Sequence, residues 1–151
     1  MEFVKSVNKQ MSRFKFRFWK SKVKQMHYPE YSWDDDFVIM PDGTIMRNKT
    51  LPGWDQCPSL ETVDGVLMQF TGLVDKNGKD IYEGDVCAMR LPPYNEDDTE
   101  TIRTVFVVWK NNGWFLEGFN HLYGTYYWGS ITGQMLEIKG NIYENPELTE
   151  T

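Results

Sequence analysis

Apolar and polar positions alternate with a period of two along most of this chain. In RFKFRFWK, residues 13–20, the alternation puts Phe14, Phe16 and Phe18 on one face and Arg13, Lys15, Arg17 and Trp19 on the other, the pattern of a half-buried strand. FVIMPDGTIMR, residues 37–47, sets Pro-Asp-Gly between two apolar runs and predicts a hairpin, with Pro41 fixing φ and Gly43 accepting a positive one. NKTLPGWDQCPS, residues 48–59, has no period and reads as a connecting loop. Leu67–Thr71 predicts a short strand. The Asn77-Gly78 pair then predicts a type I′ turn, whose two central residues both need positive φ. A corner at Glu83-Gly84-Asp85 leads into VCAMRL, residues 86–91, which Pro92-Pro93 closes. YNEDDTE, residues 94–100, carries four acids and no aliphatic side chain, so a solvated, mobile loop is expected.

IRTVFVVWK, residues 102–110, is the strongest strand pattern and continues through Asn111-Asn112-Gly113 into WFLEGF, a second hairpin. HLYGTYYWGSITG, residues 121–133, interleaves aromatics with three Gly. QMLEIKGNIY, residues 134–143, predicts the last long strand, and Asn145-Pro146 predicts a single closing helical turn. No segment holds a 3.6-residue period over helical length. The expected fold class is therefore all-β, most simply a small barrel.

Aromatic residues make up 15% of the 151-residue chain, enough large side chains to fill one core without a disulfide or metal. Cys57 and Cys87 have no C-x-x-C spacing, so neither a disulfide framework nor a zinc site is indicated, and a reduced cytoplasmic setting is expected. The opening residues MEFVKSVNKQMSRF lack a signal-peptide apolar run, and no stretch is long and apolar enough to span a bilayer; no membrane role is expected. The net charge of −6 is unevenly spread: residues 1–30 carry +6 and residues 31–151 carry −12. An acidic body argues against duplex DNA as a partner and favours docking of the basic arm on a neighbouring copy.

Three blocks, KFRFW (15–19), LMQFTGLVDKNGKDIYEGDV (67–86) and IKGNIYENPEL (138–148), together resemble the YopX family of phage and prophage proteins. The resemblance implies a flexible N-terminus over 1–12 and a YopX-like domain over 13–151. Within that domain, 13–60 would form an N-terminal β-strand arm or hairpin extension and 61–151 an SH3-like barrel. It also implies homo-oligomers in a bacterial host's cytoplasm and no enzyme activity. The chain departs from the family's usual pattern at Lys20, where an acid commonly follows the Trp, and in the acidic insert around Asn95–Glu100.

Several residues are candidate sites. Around the 69–86 block the structural reading is that Gly72, Asn77, Gly78 and Gly84 supply backbone angles while Tyr82 packs; the alternative is a ligand-facing turn. Lys79 after Gly78 lacks the spacing of a phosphate loop. The one constellation that suggests binding is Arg13, Lys15, Arg17, Trp19 and Lys20. These offer cations beside an aromatic platform, suited to a nucleotide or single-stranded nucleic acid, or else a solvated or intersubunit face. His27 and His121 are expected as ordinary turn or surface residues, Cys87 as a packed side chain, and Cys57 as an unactivated thiol. Asp34–Asp36 and Glu96–Asp98 read as solvated charge rather than a cation loop, with phosphate mimicry as an alternative for the second. No cofactor, metal or catalytic residue is expected. The leading reading is a non-catalytic, homo-oligomeric binding protein for a host protein or nucleotide-type ligand, with a single-stranded nucleic-acid-binding module as the alternative.

Overall fold

The computed structural model describes residues 15–28, 37–49, 59–93, 99–118, 125–127 and 132–149. These residues form strands joined by turns, with two short 3-10 segments and no α-helix among them, the all-β class expected. Backbone contacts divide them into two compact units, Phe16–Met68 and a second formed by Lys15 with the chain from Gln69 onward.

In the first unit β1 (Phe16–Lys20) and β2 (Gln25–His27) pair antiparallel, with Phe18 opposite His27 and Trp19 opposite Met26. β3 (Phe37–Ile39), β4 (Ile45–Lys49) and β5 (Ser59–Thr62) form a three-stranded sheet in that order. The predicted Pro-Asp-Gly hairpin joins β3 to β4: Gly43 has φ 84°, its N–H donates to Met40 O at 2.9 Å, and the Asp42 carboxylate accepts the Thr44 N–H at 2.9 Å. Of the predicted 48–59 loop, Asn48 and Lys49 belong to β4 and Ser59 opens β5, while residues 50–58 lie outside the described set. Phe18, Met26, Ile45 and Met68 are buried here.

β6 (Gly65–Val74) runs from the first unit into the second and is ten residues long, twice the predicted strand. It pairs antiparallel with β7 (Asp80–Tyr82), Phe70 opposite Tyr82 and Val74 opposite Asp80, with an irregularity between. The rest of the second unit is an antiparallel sheet that curls as a half-barrel. Its strands are β8 (Asp85–Leu91), β9 (Thr101–Lys110), β10 (Gly113–Gly118), β11 (Thr125–Tyr127) and β12 (Leu136–Asn141), in the order β11-β10-β9-β8-β12. Its inward positions Cys87, Met89, Val105, Val107, Leu116 and Leu136 meet Ile81 of β7 in one core, all fully buried. Each such aliphatic side chain contributes about 1.5–3 kcal/mol relative to exposure. Cys87 packs as expected.

The last strand is shorter than its apolar pattern predicts. Gly133–Met135 form a 3-10 turn, closed by the Met135 N–H on Thr132 O at 3.0 Å, and β12 begins only at Leu136. It ends at Asn141 because that side chain's Oδ1 accepts the N–H groups of Tyr143 (3.0 Å) and Glu144 (2.9 Å), bending the chain away from the ladder. The predicted closing turn is a 3-10 segment, Pro146–Thr149, with the Leu148 N–H on Asn145 O at 3.0 Å.

Candidate functional site

The 67–86 block is held by Asp75 rather than by its Asn-Gly pair. Asp75 is fully buried, and its carboxylate accepts four donors: Asn77 N (2.8 Å) and Lys79 N (2.9 Å) on Oδ1, and Ile138 N (3.1 Å) and Asn77 Nδ2 (3.4 Å) on Oδ2. The two Oδ1 bonds wind the chain over itself within the hairpin. Gly78 N then donates to Asp75 O at 2.9 Å and Asp75 N to Lys79 O at 2.8 Å. Gly78 has φ 81° but Asn77 keeps a negative φ, so the expected type I′ turn is a type I turn followed by a left-handed glycine. Gly72 (φ 90°) and Gly84 (φ 77°) do supply the angles expected of them, and Tyr82 packs against Phe70 with ring centroids 5.7 Å apart.

The Ile138 contact reaches across to the edge of the five-stranded sheet. Lys76 N donates to Leu136 O at 3.0 Å beside it, so the hairpin takes two backbone groups on β12, whose other side pairs with β8 and which is the edge strand of the sheet. The approach is close: a Cβ on Gly133 would lie 1.7 Å from the Val74 carbonyl oxygen. Glu137 on β12 accepts from Lys76 and Lys139, each at 2.6 Å, and these hydrogen bonds pull its carboxyl down to about 2. Burial alone would push the Asp75 carboxyl up; hydrogen bonds from the backbone of Lys79, Ile138 and Asn77 outweigh it and hold it below the ordinary value. At the following corner, Asp85 accepts Tyr82 N at 2.8 Å and Gly84 N donates to Val107 O at 2.9 Å. Both buried carboxylates in the block are thus engaged by the chain's own backbone.

The cationic stripe is not one open face. Arg13 lies outside the described residues. Lys15 pairs with Asp80 at 2.6 Å and lies 5.0 Å from the Phe70 ring centre. Arg17 is 4% exposed, its guanidinium 6.0 Å from the Tyr28 ring centre, and Trp19 is half-buried. Lys20 belongs with the phenylalanines, since period-two alternation puts it on the Phe16 and Phe18 face. Its ammonium is 5.6 Å from the Phe18 ring and 4.9 Å from Phe37. His27 sits with the same rings, 4.7 Å from Phe18 and 4.8 Å from Phe37. His121, Cys57, Asp34–Asp36 and Glu96–Asp98 lie outside the described residues. Among the described residues no group of three metal-ligating side chains converges, and no helix is long and apolar enough to cross a membrane.

Residues 15–150 match the model of the YopX protein family. The chain belongs to the YopX family. Protein yopX from Bacillus subtilis, known from its crystal structure, is similar to this YopX-family chain with a TM-score of 0.53 and 25% identity, covering 91% of this chain and 96% of that one. Protein EF1440 from Enterococcus faecalis is similar with a TM-score of 0.51 and 25% identity, over 91% and 98%. No curated protein matches the chain.

Two features of this YopX-family chain had no counterpart in the sequence reading. One is the docking of Asp75 on β12; its only local signal is an Asp heading a turn, whose carboxylate can accept the backbone N–H two residues on as an Asx turn. The other is Trp109, 52% exposed and in register with Trp114 across the β9–β10 hairpin.

Proposed function

We propose that this chain is a non-catalytic, phage- or prophage-encoded binding protein. It works as a homo-oligomer in the cytoplasm of a bacterial host and takes a host protein or nucleotide-type ligand. The observation that carries the reading is the engagement of Asp75. The acid at the centre of the family block is fully buried and saturated by N–H donors of its own chain, which makes the block a framework and leaves recognition to surfaces. The separation of a +6 segment over residues 1–30 from −12 over the remainder supports association between copies. The ion pairing of Lys15 and the burial of Arg17 weigh against single-stranded nucleic acid running along β1.

Size-exclusion chromatography with light scattering at micromolar concentration tests the oligomer. An assembly that loosens as salt rises above physiological strength is expected, because exposed charges are then screened within a few ångströms. Monomers at every salt concentration would remove the oligomeric part of the proposal.

A further inference from the structure

Trp109 and Trp114 stand opposite each other across the β9–β10 hairpin, ring centroids 5.0 Å apart and planes at 71°. Two indoles at that distance and angle pack edge to face. Alternation puts Trp109 on the face of Val105 and Val107, both fully buried, yet Trp109 itself is 52% exposed. Trp114 rests against the core and is anchored. The pair therefore begins where the buried part of β9 ends, with the Trp114 indole fixed and the Trp109 indole open to solvent. Lys110, the next residue, is engaged with Glu117 and with Phe115, whose ring centre is 5.4 Å away, on the opposite face of the hairpin.

A carboxylate and a phenol lie at the same end of β9. The Glu83-Gly84 turn is fixed there by three backbone bonds: Gly84 N to Val107 O (2.9 Å), Glu83 N to Gln69 O (2.9 Å) and Ile142 N to Gly84 O (3.0 Å). The last of these brings Tyr143 alongside. The Glu83 carboxylate is half-buried; burial raises its proton affinity, against hydrogen bonds from the backbone of Trp109 and Gln69. The Tyr143 hydroxyl is pushed up by burial and then by the Glu83 charge.

Indole faces carry negative potential, and a cation held over them beside a carboxylate gains from both. A planar guanidinium suits this arrangement better than an ammonium, because it stacks on one ring while its N–H fork meets the acid. The −12 charge over residues 31–151 draws cations toward the surface. We propose that Trp109, Trp114 and Tyr143, with Glu83, form a recognition site for an arginine side chain presented by a peptide segment of a partner protein.

The test follows indole N–H resonances of the full-length 15N-labelled chain during titration with acetyl-Gly-Arg-Gly-amide, and with the same peptide carrying neutral citrulline. Saturating shifts at Trp109 and Trp114 with the arginine peptide, and none with citrulline, are expected. Glu83→Gln and Trp109→Ala should each weaken binding by about tenfold. Unchanged Val105 and Val107 amide signals report an intact core, and Trp109→Phe replaces Trp109→Ala if the latter does not fold. No saturable shift, an equal response to citrulline, or undiminished binding by Glu83→Gln would overturn the assignment.

Discussion

Two hairpin tips in the second unit carry asparagine, and different physics builds each. At Lys110–Gly113, Asn111 (φ 49°) and Asn112 (φ 60°) both adopt left-handed backbone, and Lys110 pairs directly with Gly113. This is the type I′ geometry whose twist matches the strands it joins, and its cause is local. At Asp75–Lys79 only Gly78 is left-handed, and the turn is organised by a buried carboxylate that also grips Ile138, 63 positions along the chain. The first tip closes a hairpin; the second closes a hairpin and ties it to a sheet edge. Their sensitivity to substitution should differ accordingly.

The largest expected effect is that of Asp75→Ala. It removes the acceptor from three backbone N–H groups, and at about 1 kcal/mol or more each the loss should reach about 3 kcal/mol, read as a lower urea midpoint. The same contact sets a pH dependence. The folded carboxyl lies below its ordinary 3.8, so its stabilisation is complete above that pH and fades as pH falls through the folded value. Asp75→Asn should flatten that acid limb of the stability curve; an unchanged limb would assign it to other carboxylates.

Gly133→Ala comes next. A Cβ placed 1.7 Å from the Val74 carbonyl oxygen must push the hairpin off β12, at about 1–3 kcal/mol. Full wild-type stability in thermal melts would mean that the two segments are not in this contact.

At the local tip the effects shrink. Asn111→Ala should cost about 1 kcal/mol, because alanine lacks the short polar side chain whose local hydrogen bonding eases asparagine into left-handed backbone, and Asn112→Gly should change stability by only a few tenths. If Asn111→Ala cost as much as Asp75→Ala, the distinction between the two tips would fail.

The same contrast explains what could be read in advance. Alternation in IRTVFVVWK identified β9, because Val105 and Val107 face one core and the rule needs only a single covered face. It was insufficient at β1, where Arg17 is 4% exposed and Phe18 fully buried, so that adjacent residues on opposite faces are both covered. Asn-Gly at 77–78 carries the stronger textual signal for a type I′ turn than Asn-Asn at 111–112, yet the second adopts it. The deciding group at the first, Asp75, acts through Ile138, and no local window contains both. Gln134 and Met135 continue an apolar strand pattern but are taken into a 3-10 turn beside the Gly133 and Val74 contact. At the proposed arginine site the tryptophans are legible as strand residues; that they face each other follows from the register of β9 with β10, and the 83–84 turn is brought to β9 by the Gly84 bond to Val107.

Amide hydrogen exchange at Ile138 bears most directly on the claim that Asp75 locks the family block onto the sheet edge. Its N–H sits on an edge strand and owes its bond to that carboxylate. Protection approaching that of Val107 in the wild type, falling by orders of magnitude in Asp75→Asn while Val107 stays protected, is the predicted result. An Ile138 amide that exchanges at open-loop rates in the wild type, or that stays protected after the substitution, would contradict it.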